Sequence, residues 1–232
     1  MLPYFRTRHM FPFMSPTPSH CLPCSAAVLA GGAATRMGGA TKGLLDLLGR
    51  PILDTLEQTL QPIFQDVLLV AKESLPYGDY LQGRANSFRL VLDTWEHRSS
   101  LTGIHAALTH CSADHCFVTA CDTPLVRPAL LKAMLQLLRP EDDVVLPRKP
   151  DGYFEPLCAI YSKRCLPFVD AQLQRGQFKI VSFFNKVHVH PLPTDILLQC
   201  DPELVSFQNA NTPEDLSSLR QWAAKVLSPG AS

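Results

Sequence analysis

A short apolar stretch at residues 26–30 runs directly into a glycine-rich, cationic loop, and this pairing most constrains the fold. The loop carries Gly31, Gly32, Gly38 and Gly39, with Arg36 and Lys42 as its cations and no acid before Asp46. Glycines let backbone N–H groups turn toward an anion, with no Cβ to hold it off. Such a loop at the carboxyl end of a first strand is where open α/β sheets take ligands. The composition asks for a polyphosphate. It matches neither the Walker G-x-x-x-x-G-K-[ST] pattern nor the dinucleotide G-x-G-x-x-G pattern.

The rest of the chain alternates between strand-like and helix-like patterns. Apolar runs predict strands at 26–30, 67–70, 88–92, 116–120, 144–146, 157–161 and 187–190. Helical spacing predicts helices over 52–64, 103–109, 129–138 and 166–173, and a last one from Thr212. Thr212, Pro213 and Asp215 form a cap signature for that helix. The alternation predicts a three-layer α/β/α sandwich, Rossmann-like, around a mostly parallel sheet.

Basic and acidic residues balance at 21 each, which argues against a nucleic-acid partner. No apolar run reaches the about 18 residues that a membrane span requires. Residues 1–24 hold five prolines, Arg6, Arg8 and no acid, and read as a disordered extension before a domain at 25–232. Cys21 and Cys24 have C-x-x-C spacing, but no second pair follows. Cys116, Cys121 and Cys158 read as small buried thiols, and the chain as one of a reducing cytoplasm.

Three acids and two amides complete the candidate site. Asp122 follows an apolar strand in Cys121-Asp-Thr-Pro124, where a hard carboxylate can hold Mg²⁺ or cap a helix. Asp93 ends the preceding strand, placed either for a base or ribose or for a turn. Glu155, in Glu155-Pro-Leu157 with Tyr161, and the pair Asn209 and Asn211, in Asn209-Ala-Asn-Thr-Pro-Glu-Asp215, are candidates for a second substrate. Amides donate and accept, although both asparagines also suit a turn.

The stretch from Val28 to Lys42 resembles the L-A-G-G-x-x-x-R-M-G-G-x-x-K signature of nucleotidyltransferases. With the three later motifs, the chain from about Ala26 to about Trp222 resembles the molybdenum cofactor guanylyltransferases, the MobA family. The resemblance implies transfer of GMP from GTP to molybdenum-molybdopterin. It implies Arg36, Lys42 and Asp122 as catalytic groups, with Asp122 as the Mg²⁺ ligand. Leu29, Ala30, Gly31, Gly32, Gly38, Lys42, Asp93, Gly103 and Asp122 would bind GTP, and Glu155, Asn209 and Asn211 the pterin acceptor. Molybdenum-insertion proteins and molybdoenzyme chaperones would be partners. Two departures stand out. Ser100-Leu-Thr-Gly103 lacks the proline usual in that loop, and Val70 stands where the family usually has asparagine, leaving Lys72 as the nearest polar replacement. Rival readings are a cytidylyltransferase of the same cofactor, a sugar-phosphate nucleotidyltransferase and a non-catalytic GTP-binding regulator.

Overall fold

Alternate residues of the first strand go to opposite faces of a sheet, and each face meets its own layer of helices. The computed structural model describes residues 22–32, 41–84 and 88–227. β1 (Cys24–Leu29) sends Ala26 and Val28 into a core with α1 (Ile52–Leu60) and α4 (Pro128–Leu137). It sends Ala27 and Leu29 into a second core with α3 (Ser100–His110) and α5 (Leu166–Leu173). That alternation is the period of two of an extended chain, and it makes three layers.

The sheet has seven strands in the order β3-β2-β1-β4-β6-β5-β7. The others are β2 (Val67–Ala71), β3 (Arg89–Leu92), β4 (His115–Ala120), β5 (Val144–Pro147), β6 (Cys158–Ser162) and β7 (Val189–Leu192). β6 runs antiparallel to β4 and β5, while the remaining pairs are parallel. The carboxyl ends of the six parallel strands therefore share one edge with the amino end of β6. Residues that precede β6 reach the same edge as residues that follow β1 and β4.

Two short helices, α2 (Tyr77–Leu81) and α6 (Thr194–Cys200), join the expected ones. α3 begins at Ser100 rather than near 103, because Ser99 and Thr102 form a reciprocal capping box. The expected box also opens α7 (Pro213–Val226), where Thr212 accepts from Asp215 N–H. α7 closes a third apolar cluster over Leu47, Ile52 and Leu125 through Leu216, Leu219 and Ala223. β1 takes in Cys24, and Leu22 packs against the core, so the domain reaches earlier than the Ser25 expected from sequence. Among the described residues no helix is long and apolar enough to cross a membrane.

Candidate functional site

Lys42 is the point where distant parts of the chain meet. It opens a 3-10 turn, Lys42–Leu44, that lies on α1. Gly43 permits this approach: a Cβ there would stand 3.0 Å from the Leu53 side chain. The Lys42 ammonium lies 2.8 Å from Asp122 Oδ2 and 2.5 Å from Asn211 Oδ1. These partners are 80 and 169 residues away in sequence, so the convergence is purely a product of the fold.

Asp122 is aimed by backbone. Cys121 N–H donates to the Leu29 carbonyl at 3.0 Å, which ties the end of β4 to the end of β1. Ala210 N–H donates to the Asp122 carbonyl at 2.9 Å, which seats the Asn209-Ala-Asn211 segment against it. Ala210 is fully buried in the α7 cluster, while Asn209 is exposed and Asn211 half-buried. In an extended segment one buried residue turns its two neighbours outward. The segment is set up by Asp201, fully buried, whose oxygens accept from Val205 N–H and Ser206 N–H.

Two clefts open on this edge. One, of about 320 Å³, is lined by Leu29, Gly31, Gly32, Lys42, Asp93 and Gly103, among others. The other, of about 300 Å³, is lined by Thr123, Glu155, Ser206, Phe207, Asn209 and Asn211. Ala120, Asp122 and Leu157 line both, so Asp122 stands on the wall between them. The separation expected between the glycine loop and the Asn209–Asn211 side is thus present, with one amendment. Asn211 reaches across to Lys42 and belongs to the junction as much as to the second cleft.

Other candidates have partners that the sequence did not disclose. Asp93 lines the first cleft but is only 5% exposed. Its Oδ1 accepts from Trp95 N–H at 3.1 Å, and its Oδ2 accepts from the Thr102 hydroxyl at 2.7 Å and forms an ion pair with the Lys72 ammonium at 3.0 Å. Most of its acceptor capacity is used inside the protein, although it lines the first cleft. Glu155 holds the Lys149 ammonium at 2.6 Å, and that bond raises the lysine's pKa. Gly103 faces Leu29, whose side chain would lie 3.2 Å from a Cβ, so it sets how near α3 comes to β1. Ala30 does not line the cleft; its N–H donates to Val70 and its carbonyl accepts from Tyr77. Val70 does line it, as an apolar wall. Arg36 and Gly38 lie outside the described residues, as does Cys21. Arg98 and Ser99, which no motif marks, line the first cleft too, as does Ser100 of the Ser100-Leu-Thr-Gly103 loop.

The donor set suits a hard cation. Asp122 Oδ2 and Asn211 Oδ1 already converge on one ammonium, and both are oxygen ligands of the kind Mg²⁺ takes. No group of three or more His, Cys, Asp or Glu side chains assembles a metal site among the described residues. Cys121, which lines the first cleft, is not an activated thiol: burial first, and the Asp122 carboxylate next, push it up to about 12.

Residues 26–189 match the family model described as MobA-like NTP transferase domain. The chain is 39% identical to a molybdenum cofactor guanylyltransferase of Desulfosudis oleivorans, over 82% of this chain and 90% of that protein. It is 31% identical to a molybdenum cofactor guanylyltransferase of Vibrio cholerae, over 83% and 89%. Among solved structures it superposes on molybdopterin-guanine dinucleotide biosynthesis protein A of Archaeoglobus fulgidus, with a TM-score of 0.72 and 28% identity, covering 87% of this chain and 99% of that one.

Proposed function

Because this chain belongs to the MobA-like NTP transferase family, we propose that it transfers GMP from GTP to the terminal phosphate of molybdenum-molybdopterin, releasing pyrophosphate. One observation carries the assignment of roles: a single ammonium ties Asp122 to Asn211 on the wall shared by two clefts. The first cleft would take GTP and the second the pterin acceptor. A reacting oxygen from one side and a phosphorus from the other would then meet at Asp122.

In this reaction an acceptor phosphate oxygen attacks the α-phosphorus of GTP. A new P–O–P linkage forms as the bond from the α-phosphorus to the α,β-bridging oxygen breaks, and its electron pair leaves on pyrophosphate. The protein supplies position and positive charge rather than a covalent partner. Lys42, released from its present partners, neutralises charge on the leaving pyrophosphate. At about 4 Å such a pair is worth ~1 kcal/mol in bulk water and ~4 kcal/mol at an effective dielectric of 20, so a half-closed cleft matters. Arg36 of the glycine loop has the same task, with a fork that matches phosphate oxygens. Asp122, with the Asn211 amide oxygen, would hold Mg²⁺, whose bound charge offsets that of the triphosphate. Gly31 and Gly32 leave backbone close to the phosphates, with Gly38 further along the loop. Leu29 and Val70 wall the base side, and Asp93 braces it. Asn209 and Glu155 with Lys149 face the acceptor.

The domain read from the sequence as 25–232 takes in Leu22 and Cys24 as well, and the residues before them would take no part in transfer. The cysteines among the described residues are free thiols, which suits a reducing cytoplasm, where molybdenum-insertion proteins and molybdoenzyme chaperones would meet the product. The test is pyrophosphate release with molybdenum-molybdopterin and, separately, GTP, CTP, ATP and UTP, with and without Mg²⁺. GTP and Mg²⁺ together should be required. Turnover with CTP instead would move the assignment to the cytidylyl branch. Nucleotide binding without turnover would leave a regulator.

A further inference from the structure

Lys72, the polar residue nearest the Val70 departure, has its ammonium engaged inside the fold. It follows β2 directly, on the edge that carries the first cleft, with its side chain 8% exposed. Its ammonium reaches Asp93 Oδ2 at 3.0 Å, the Trp95 carbonyl, and the His97 carbonyl at 2.9 Å. Two of its N–H donors go to backbone carbonyls, and its charge pairs with the Asp93 carboxylate. All three partners lie in the connection between β3 and α3. Gly31 packs on the same side chain, with a Cβ position 3.4 Å from Lys72 Cγ. The connection supplies Asp93, Arg98 and Ser99 to the wall of the first cleft.

We propose that Lys72 is a positioning residue of the nucleotide cleft: it sets the β3–α3 connection from outside the ligand and so holds Asp93, Arg98 and Ser99 where a nucleotide meets them. The proposal rests on the reading of that cleft as the nucleotide half. A lysine that only neutralised Asp93 would not also need two backbone carbonyls. Those carbonyls fix the course of a segment that has no ladder of its own. Other contacts hold the same connection: the Thr102 hydroxyl donates to Asp93 and also reaches the His97 carbonyl, Arg98 pairs with Glu73, Trp95 Nε1 donates to His105 Nδ1 at 3.2 Å, and the His97 ring stacks on Phe178. Among the described residues, Lys72 alone joins the end of β2 to both the Trp95 and the His97 carbonyls.

Two variants separate positioning from charge balance. Lys72→Met removes the ammonium. Lys72→Met with Asp93→Asn also removes the carboxylate that Lys72 neutralises, so it guards against loss of folding in the single variant. Calorimetric titration with GTP and Mg²⁺, thermal unfolding, and steady-state kinetics for GTP and acceptor are read for each, with Lys72→Arg as the conservative replacement. The expected result is GTP binding at least tenfold weaker in both Met variants. A matching rise in KM for GTP, kcat within about threefold and an unchanged KM for acceptor should accompany it, with part of the affinity restored by arginine. Wild-type GTP affinity in the folded double variant overturns the proposal and leaves Lys72 as a counter-ion. If kcat falls while KM for GTP holds, the positioning role is also overturned. If wild-type protein binds another nucleotide in place of GTP, the guanylyl reading fails, and the same titrations with that nucleotide decide the role of Lys72.

Discussion

The two edges of the sheet treat carboxylates differently. At the amino ends of the strands, Asp66 precedes β2 and Asp142 precedes β5. Asp66 accepts from Ser25, from Ser112 N–H at 2.8 Å and from Arg89 at 2.9 Å. Asp142, fully buried, accepts from Arg139 N–H at 2.9 Å, with His188 Nδ1 at 3.0 Å and His190 Nδ1 at 2.8 Å. Burial pushes both carboxyls up, yet the donors outweigh it and hold both below the ordinary range. At the carboxyl ends, Asp122 has one ammonium partner and two open clefts beside it. A carboxylate satisfied by the backbone and side chains of several elements is a fastener. One whose partner is a lysine on a glycine-flanked turn can exchange that partner for a ligand. Asp93 sits at the functional edge yet is tied almost like a fastener, and this is why it reads as a brace of the cleft.

The largest effect that would break this comparison is at Asp122. Asp122→Asn should reduce GMP transfer by roughly a hundredfold or more, the scale of losing one preorganised electrostatic group at a reacting centre. Unfolding temperature should hardly change, because the side chain opens on the clefts and its backbone contacts persist. Near wild-type turnover at saturating Mg²⁺ would make Asp122 another fastener.

The opposite result is expected at the far edge. Asp142→Asn should lower stability at neutral pH by about 2 kcal/mol, since hydrogen bonds to a charged group contribute ~1.5–3 kcal/mol. Turnover should stay the same. Because the folded-state pKa values of Asp66 and Asp142 are depressed, their stabilisation is present above the unfolded value of about 4 and is lost as pH falls through the folded values. Acid unfolding below pH 4 should therefore be shallower in the variant. A kinetic defect at neutral pH with unchanged stability would erase the distinction between the edges.

A smaller loss is expected from the cations. Lys42→Ala and Arg36→Ala should each slow turnover at least tenfold, since ~1.4 kcal/mol of transition-state stabilisation corresponds to a factor of ten. For Lys42, binding of Mg²⁺ by the free protein should also improve, because the ammonium no longer sits between Asp122 and Asn211. Normal kinetics with a large fall in melting temperature would instead place Lys42 among the structural groups.

What could be read from the sequence, and what could not, follows the range of the interactions. The glycine loop, the carboxylate after β4 and the cap at Thr212 are local patterns, and each was visible. Asn209-Ala-Asn211 was visible as a motif, and its geometry follows from a buried alanine between two polar neighbours. The reversal of β6 was not, because an apolar run carries no direction. The helices α2 and α6 are too short to establish a helical period. The capping box at Ser99 uses threonine in place of the usual Glu or Gln. The pairs Lys72–Asp93 and Lys149–Glu155 depend on where loops fold back, which periodicity cannot report.

The two asparagines give the finest division, within the functional edge itself. They stand on either side of Ala210, yet their surroundings differ. Asn209 is exposed and lines only the second cleft. Asn211 lines that cleft and also bonds Lys42, which lines the first cleft. Losing a hydrogen bond to an uncharged group typically costs ~0.5–1.5 kcal/mol, a few-fold to tenfold in affinity. Asn209→Ala should therefore raise KM for the acceptor by that factor and leave GTP affinity unchanged. Asn211→Ala should weaken acceptor use to a similar degree and also alter GTP binding in the presence of Mg²⁺, because it removes an oxygen shared with Asp122. Calorimetry with GTP, with and without Mg²⁺, and separate acceptor kinetics measure both. If Asn209→Ala weakens GTP as much as acceptor, the clefts are not two substrate halves. If Asn211→Ala affects the acceptor alone, its bond to Lys42 takes no part in nucleotide binding, and the junction narrows to Lys42 and Asp122.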